Sequence, residues 1–321
     1  VINMNNIKKI GLTALAASLV SVSANAGSMS VAGGASLGLV GYSGEDINAG
    51  KSFSMGNQLT FTGGGELDNG INVALSFVLD QGDGAPSPFD SHSLTLSNDA
   101  WGSLKFMGEG GSTTANAIDK SAAGDIWDAF DGMTNADAQT GKTATAGDNA
   151  MIYTSPELVD GLVATASYQP QGSNRVSGTG LGATYTGVDG LTVKYAVADI
   201  VGSTIAASGD ETVFFASYAY GPVTVSASNM ESDISAASSD YEVTSYAISY
   251  TVSDDLSVTY GMEDITLEGA ATDAEYEKLS LSYTTGGMTL SASTNSAENA
   301  SFTANSNEDY EKWTLGATFA F

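Results

Sequence analysis

The chain of 321 residues contains no cysteine, one histidine and only 10 lysine and arginine residues. Without cysteine it has no disulfides, and zinc fingers, iron–sulfur clusters and thiol catalysis are excluded. The one histidine, His92, stands between two serines. Because adjacent residues of a strand point to opposite faces, no catalytic Ser–His pair is predicted there. We therefore expect a protein that is not an enzyme.

Basic side chains are scarce, since 37 acidic residues stand against these 10 and the formal net charge is −27. A nucleic-acid partner is excluded, because binding to phosphates needs a basic face. Long apolar runs are also missing, and none reaches the roughly 18 residues of a membrane-spanning helix. Disorder is disfavoured by the 11 Phe, 14 Tyr and 3 Trp, which are spread along the whole chain.

The first 26 residues have the pattern of a targeting segment. Lys8 and Lys9 precede an apolar run, Ile10–Val20, and small residues follow as far as Ala26. These are the three parts of a secretory signal peptide. We expect cleavage after Ala26, with Ala24 and Ala26 at the two positions that must be small. Residues 27–321 would then form a single domain.

From residue 27 onward, apolar residues alternate with small polar residues at a period of two. Examples are Ile71–Phe77, Leu191–Val197 and Leu279–Tyr283. One face carries Leu, Val, Ile, Phe, Tyr and Trp, and the other carries Ser, Thr, Gly, Ala and an occasional Lys. This alternation predicts strands with two different faces.

Seven tight-turn signals separate these strands, at intervals of about 30 residues in most cases. Asn69–Gly70 and Asp189–Gly190 are two of them. Gly, Asn and Asp tolerate the positive φ that short hairpin turns require. Each turn joins two strands, and Val31–Tyr42 and Asp309–Phe321 add one strand at each end. The sequence therefore predicts sixteen antiparallel strands.

Two architectures fit such strands, a soluble sandwich and a membrane-spanning barrel. The polar face is small and weakly charged, which suits a lumen better than bulk water. Strands of about ten residues also exceed the usual length in soluble proteins. The turns are short at one end, while longer segments such as Glu231–Asp240 and Ile265–Ala274 are predicted to be solvated loops at the other. We therefore predict an all-β transmembrane antiparallel barrel, in which a closed sheet pairs every backbone group within lipid.

Two segments resemble Gram-negative general diffusion porins of the sixteen-stranded, trimeric type. The last strand, Trp313–Phe321, alternates and ends on Phe, and Asn149–Pro156 contains the pattern Asn-x-x-x-Tyr-x-Ser-Pro. The resemblance implies a homotrimeric channel in the outer membrane, with Asn149–Pro156 on the strand that follows a constriction loop. It also implies that the C-terminal residues form an assembly signal, namely Trp313, Phe319 and Phe321.

The connection over residues 110–148 is too long for an ordinary loop of a compact β protein. Residues 121–133 predict a short helix with Ile126, Trp127, Phe130 and Met133 on one side. The resemblance implies that this loop folds into the barrel and sets the narrowest section of the pore. A surface loop whose acids are merely solvated is the alternative. The predicted constriction residues are Asp119, Asp125, Asp128, Asp131, Trp127 and Phe130.

Strand parity assigns several charged side chains to the lumen, where charge costs less than in lipid. Lys105, for example, lies between the apolar residues Leu104 and Phe106. Glu66, Asp80 and Glu263 share this parity, with headgroups or solvent near the strand ends as the alternative. The predicted wall residues are Lys105, Glu109, Lys194, Lys278 and Lys312.

The charge balance departs from that of familiar porins, which set an arginine ladder opposite the acidic loop. The one arginine of this chain, Arg175, is predicted in a loop, so lysines must supply any opposing charge. With a net charge of −27, cations should be concentrated near the channel, and we predict weak cation selectivity.

The favoured function is passive diffusion of ions and small hydrophilic solutes through a water-filled channel surrounded by outer-membrane lipid. The alternatives are a non-transport surface protein, either an acidic adhesin or a structural barrel, and a substrate-specific porin. The last is disfavoured because the aromatic residues fall overwhelmingly at the alternate strand positions that face lipid, and no file of aromatics follows the lumen-facing positions. No cofactor is predicted. Acidic clusters such as Glu231–Asp233 and Asp254–Asp255 contain oxygen ligands that suit Ca²⁺, but none has the spacing of a known calcium loop.

Overall fold

The computed structural model describes residues 28–44, 50–80, 89–118, 122–130, 148–170, 177–202, 208–236, 240–300, 302 and 309–321. The predicted signal peptide, with Ala24 and Ala26, lies outside the described residues.

Sixteen strands form a closed antiparallel barrel, in which each strand pairs with its neighbours in the sequence and the last pairs with the first. The predicted architecture and strand number are confirmed. The strands are β1 (Ser28–Gly44), β2 (Gly50–Glu66), β3 (Asn72–Asp80), β4 (Phe89–Asn98), β5 (Gly102–Glu109), β6 (Ala150–Thr154), β7 (Leu162–Gln169), β8 (Ser177–Tyr185), β9 (Leu191–Val201), β10 (Gly209–Tyr220), β11 (Val223–Ile234), β12 (Tyr241–Ser253), β13 (Leu256–Leu267), β14 (Ala274–Thr285), β15 (Met288–Glu298) and β16 (Tyr310–Ala320).

The seven short turns lie at one end of the barrel and follow the even-numbered strands from β2 to β14. Six of them contain or adjoin a glycine with positive φ, a conformation that residues with a side chain rarely adopt. These glycines are Gly70, Gly102, Gly161, Gly190, Gly221 and Gly286. The chain therefore reverses where the sequence predicts, and β1 begins and β16 ends at this same end.

The barrel closes through β1 and β16, which pair from Gly34 opposite Ala320 to Gly44 opposite Tyr310. The Phe321 N–H donates to the Gly33 carbonyl oxygen at 3.0 Å, and the Gly33 N–H donates to the Phe321 carbonyl oxygen at 2.7 Å. The Phe321 ring occupies the space that a side chain at position 33 would need. Backbone pairing and aromatic packing thus complete the closure at the end of the chain.

The two faces of the sheet differ as the alternation predicts. Small residues such as Ser36, Ser54 and Thr60 line the inner face, and large apolar side chains point outward and are exposed in the single chain. Lipid would cover such an outer surface. In the part of the chain that the structure describes, no helix is long and apolar enough to span a membrane. The exposed outward residues include Leu181, Tyr195, Tyr246, Ile248 and Leu279.

Two of the predicted loops are shorter than expected, and some of their acidic residues lie on strands. β11 continues to Ile234 and β13 to Leu267, so parts of two predicted loops belong to strands. On the outer face near the long loops, acids of neighbouring strands stand directly opposite one another. Charge facing hydrocarbon is costly, so these positions mark where the strands leave the lipid. The opposed pairs are Asp199–Asp210, Asp210–Asp233, Glu231–Glu242, Asp264–Glu275 and Glu275–Glu298.

Candidate functional site

The long connection between β5 and β6, residues 110–149, is called the inner loop below. Its two ends are tied together, because the Gly110 N–H donates to Asp148 Oδ1 at 3.0 Å and the Asn149 N–H donates to the Gly108 carbonyl oxygen at 3.3 Å. Between these ends, the described residues 111–118 and 122–130 contact lumen-facing side chains of several strands. The loop thus begins and ends at β5 and β6 but rests on other parts of the barrel wall.

The first contact between the inner loop and the barrel wall is on β7 and β8. The Thr114 N–H donates to Ser167 Oγ at 2.9 Å. An added Cβ at Gly182 would lie 2.5 Å from Thr114 Cγ2, and one at Gly180 would lie 3.3 Å from Thr114 Cβ. Thr114 is buried. Only residues without a side chain leave room for it at these two wall positions.

The second contact between the inner loop and the wall is on β11, β12 and β13. The Ala122 N–H donates to Ser228 Oγ at 2.7 Å, and the Ala123 N–H donates to Ser245 Oγ at 2.9 Å. Ser228 and Ser245 face each other directly across β11 and β12. Serines on the inner face thus satisfy backbone donors of a loop that has no sheet partner here.

A short 3-10 helix, Ile126–Phe130, follows this contact. Ile126 and Phe130 are almost completely buried, and the Phe130 ring lies 6.0 Å from the Tyr276 ring of β14, centre to centre. Val243 and Ile265, on the inner faces of β12 and β13, belong to the same apolar cluster. The helix predicted near residues 121–133 is present, and its apolar side packs against the wall.

Ionisable side chains of the wall contact both ends of this helix. Glu263 Oε2, on β13, accepts hydrogen bonds from the backbone N–H groups of Ile126 at 2.6 Å and Trp127 at 3.2 Å. Lys312 Nζ, on β16, donates to the Ala129 carbonyl oxygen. A carboxyl oxygen that accepts at the amino end and an ammonium group that donates at the carboxyl end both match the hydrogen-bonding polarity of the backbone groups there.

The predicted loop residues fall into three groups. Phe130 is buried and Trp127 is half-buried against the apolar cluster. Asp128 is exposed to the lumen side, whereas Asp125 is half-buried and has a left-handed backbone with φ 48°. Asp119 and Asp131, like Met133, lie outside the described residues.

The predicted wall lysines differ in their surroundings. Lys105, on β5, is exposed. Lys194 lies over the ring of Phe215 at 5.3 Å, and Lys312 lies over the ring of Tyr42 at 5.4 Å, both on the inner face. Lys278 is half-buried on β14, near Gly124 of the inner loop, and Glu109 is half-buried at the end of β5.

More aromatic side chains face the lumen than the sequence pattern predicts. Tyr241, Tyr276 and Tyr310 face inward and are at most 4 % exposed, and Tyr42 and Phe215 also face inward. Most aromatic side chains of the strands still face outward as expected, and these five are the exceptions. The three buried tyrosines belong to the apolar cluster that includes the inner loop, so they do not form a file of rings along an open channel.

Most of the wall residues that hold the inner loop are not among the predicted site residues. In the sequence, Ser167, Ser228 and Ser245 look like any other small residues at lumen-facing positions, and Gly180 and Gly182 look like any other strand glycines. Glu263 has the right parity, but nothing in the sequence distinguishes a carboxylate under the loop from one in the pore. Only the fold shows that the loop crosses these positions.

The acidic clusters considered for Ca²⁺ lie apart from the inner loop. Glu231 and Asp233 are on the outer face of β11, and Asp254–Asp255 form the turn after β12. Among the described residues, no group of three or more His, Cys, Asp or Glu side chains is arranged to hold a metal ion.

Comparisons with known proteins agree with this architecture. A porin refined at 1.8 Å resolution aligns over 91% of this chain and 100% of its own, at 16% identity and a TM-score of 0.67, and a mutant of Rh. blastica porin gives the same values. A loop-deletion mutant of OmpT, an outer membrane protein of Vibrio cholerae, aligns over 92% of this chain and 100% of its own, at 17% identity and a TM-score of 0.68. At these identities the likeness is one of fold. No curated protein sequence matches the chain.

A closed sixteen-stranded barrel with an apolar outer surface and a long loop seated on its inner wall defines a pore-forming barrel of the outer membrane. A family model described as Gram-negative porin matches residues 11–321. The chain belongs to this family, and it is a multi-pass β-barrel protein of the outer membrane.

Proposed function

We propose that this porin forms a water-filled channel for passive diffusion of ions and small hydrophilic solutes, without enzymatic activity. The observation that carries the proposal is the seating of the inner loop on part of the inner wall. Its described contacts lie on β7, β8, β11–β14 and β16, whereas small polar residues such as Ser54 and Thr60 line the inner face of β2. A barrel narrowed by a loop that lies against part of its wall retains a polar passage beside the loop.

Weak cation selectivity is part of the proposal. It is supported by the net charge of −27, by the exposed Asp128 on the inner loop and by the opposed acids near the long-loop end of the barrel. Fixed negative charge at a channel mouth raises the local concentration of cations. The preference should decrease with rising salt, because the Debye length falls from about 30 Å at 0.01 M to about 3 Å at 1 M.

A homotrimer is also proposed. Membership of the porin family supports it, together with the resemblance of the C-terminal strand to trimeric general diffusion porins. The test is the mass of the purified protein in mild detergent, by light scattering or native mass spectrometry. Three chains per particle are expected, and a particle of one chain would contradict the proposal.

Planar-bilayer recording tests the channel function. Stepwise currents are expected from the purified protein, with a reversal potential in a KCl gradient that indicates a cation preference. A correctly folded protein without stepwise currents would favour a non-transport surface protein. Block of the current by one class of solute would favour a substrate-specific porin. An anion preference would contradict only the proposed selectivity.

A further inference from the structure

The wall beneath the inner loop is recessed at one place. Three lumen-facing residues stand side by side across β11, β12 and β13, namely Ser226, Ala247 and Gly261. The next row toward the long loops contains Ser228, Ser245 and Glu263. The row after that contains Met230, Val243 and Ile265, which are large and buried. The large apolar side chains therefore project further into the lumen than the small side chains of the first row, which leave a recess in the wall.

The inner loop occupies this recess. An added Cβ at Gly261 would lie 2.5 Å from Ala123 Cβ and 3.2 Å from Ala123 Cα. Both distances are shorter than the optimal separation of about 3.5–4.0 Å between carbon atoms. Ser226 Oγ also donates to the Ala122 carbonyl oxygen at 3.4 Å. The loop therefore lies in direct contact with the backbone of β13, with no side chain between them.

The loop has little freedom to avoid an added group at Gly261. The Ala123 N–H is bonded to Ser245 on one side, and the Ile126 and Trp127 N–H groups are bonded to Glu263 on the other. A methyl group at position 261 would enter directly below Ala123, between these two anchors. The remaining direction of movement is away from the wall, into the lumen.

We infer that Gly261, with the small residues beside it, sets the width of the channel, because the depth of this recess determines how far the inner loop projects into the lumen. Gly261 is a positioning residue that acts through Ala123 and does not contact the solute. The inference rests on the proposed channel function and names the wall residue that controls it.

The test is the single-channel conductance of Gly261→Ala and Gly261→Val in planar bilayers. A graded loss of conductance is expected, small for alanine and larger for valine. The control is Gly316→Val, because Gly316 is a lumen-facing glycine of β16 whose added Cβ would meet Ser291 Oγ at 2.6 Å instead of the loop. Its conductance should stay close to that of the unmodified protein. The unfolding temperature of each variant shows whether the barrel itself is intact.

A compensating change separates loop displacement from a general effect on folding. Ala123→Gly removes the methyl group that an alanine at position 261 would meet, so the pair Gly261→Ala with Ala123→Gly should regain most of the lost conductance. If the valine variant does not fold, the alanine variant and its combination with Ala123→Gly still test the inference. Unchanged conductance in the alanine variant, or a loss that Ala123→Gly does not reverse, would overturn the inference alone. An unmodified protein without any stepwise current would overturn the proposed function, and the inference with it.

Discussion

Lys312 and Lys105 both face the lumen, but they differ in their contacts. The Lys312 ammonium group donates to the Ala129 carbonyl oxygen and lies 5.4 Å from the centre of the Tyr42 ring, whereas Lys105 is exposed. A hydrogen bond from a charged group contributes about 1.5–3 kcal/mol, and a cation–π contact contributes about 0.5–2 kcal/mol. Lys312 is therefore held in place and in turn holds the carboxyl end of the 3-10 helix.

Replacing each lysine by methionine should separate charge from anchoring. Both variants lose one positive charge in the lumen, so both should shift the reversal potential toward stronger cation preference. Only Lys312→Met also loses the contact with the inner loop. We expect it to increase the noise of the open-channel current, because the end of the 3-10 helix gains freedom.

Recordings of both variants in the same salt gradient make this comparison. Equal noise in Lys105→Met and Lys312→Met would show that Lys312 acts through its charge alone. The unfolding temperature of the barrel should change little in Lys105→Met and fall by a few degrees in Lys312→Met, because only Lys312 loses a charged hydrogen bond and a cation–π contact.

The strands β9 to β15 project acidic side chains outward where they leave the lipid. Glu275, like Asp210, has an acid directly opposite it on each of its two neighbouring strands, here Asp264 and Glu298. Like charges directly opposite each other destabilise a sheet. For Glu275 we expect a cost of about 0.2–1 kcal/mol for each opposed acid, which is the size of a favourable cross-strand pair. The outer rim therefore retains electrostatic repulsion that strand pairing has to overcome.

Glu275→Gln should raise the free energy of unfolding by about 0.5–1 kcal/mol at low ionic strength, since it removes repulsion from two neighbours at once. Thermal unfolding in detergent, followed by the gel shift of heated samples or by circular dichroism, measures the change. The gain should shrink at high salt, where exposed charges are screened.

Glu311→Gln is the matched control for this element. Glu311 stands opposite Ser43 and Ser296, and its Oε2 accepts a hydrogen bond from Ser43 Oγ at 3.0 Å. No gain in stability is expected from this change. Equal gains in both variants would mean that the total charge matters and the strand register does not.

At the scale of the whole molecule, the closed barrel depends on pairing between its first and last strands. β1 and β16 are far apart in the sequence, and their pairing is what removes the last open edges of the sheet. An unpaired edge within lipid would leave backbone groups without hydrogen-bond partners. The residues that complete this closure are also those predicted to form the assembly signal, which include Phe319 and Phe321.

Phe321→Ala is expected to lower the amount of assembled protein in the outer membrane several-fold. The change removes the ring that covers Gly33 and the terminal aromatic residue of the predicted signal. The measurement is the level of heat-modifiable protein in outer-membrane fractions. Leu315→Ala is the control, because Leu315 lies on the same outer face of β16 and is 51% exposed in the single chain.

Refolding of the purified chains in detergent separates assembly from stability. Phe321→Ala should still refold with an unfolding temperature close to that of Leu315→Ala, because the backbone hydrogen bonds between Phe321 and Gly33 do not need the ring. A membrane level equal to that of the control would contradict the assembly signal.

The sequence by itself determined the barrel, since its signals are local. Alternation at a period of two places apolar and polar side chains on opposite faces whatever the neighbouring strand is. Gly70 and Gly190 adopt the positive φ that their turns were predicted to need. The number of strands followed from counting such turns, and the apolar side of the 3-10 helix around Ile126 and Phe130 followed from spacing.

Only the tertiary structure decided where the inner loop lies and which residues hold it. Thr114 meets Ser167, Ala123 meets Ser245 and Gly261, and Ala129 meets Lys312, all across separations of more than fifty residues. Parity assigns a residue to the lumen, but it does not state at which height the loop crosses the wall. That height depends on the register of strands that are distant in the sequence, so the width of the channel is a property of the closed barrel.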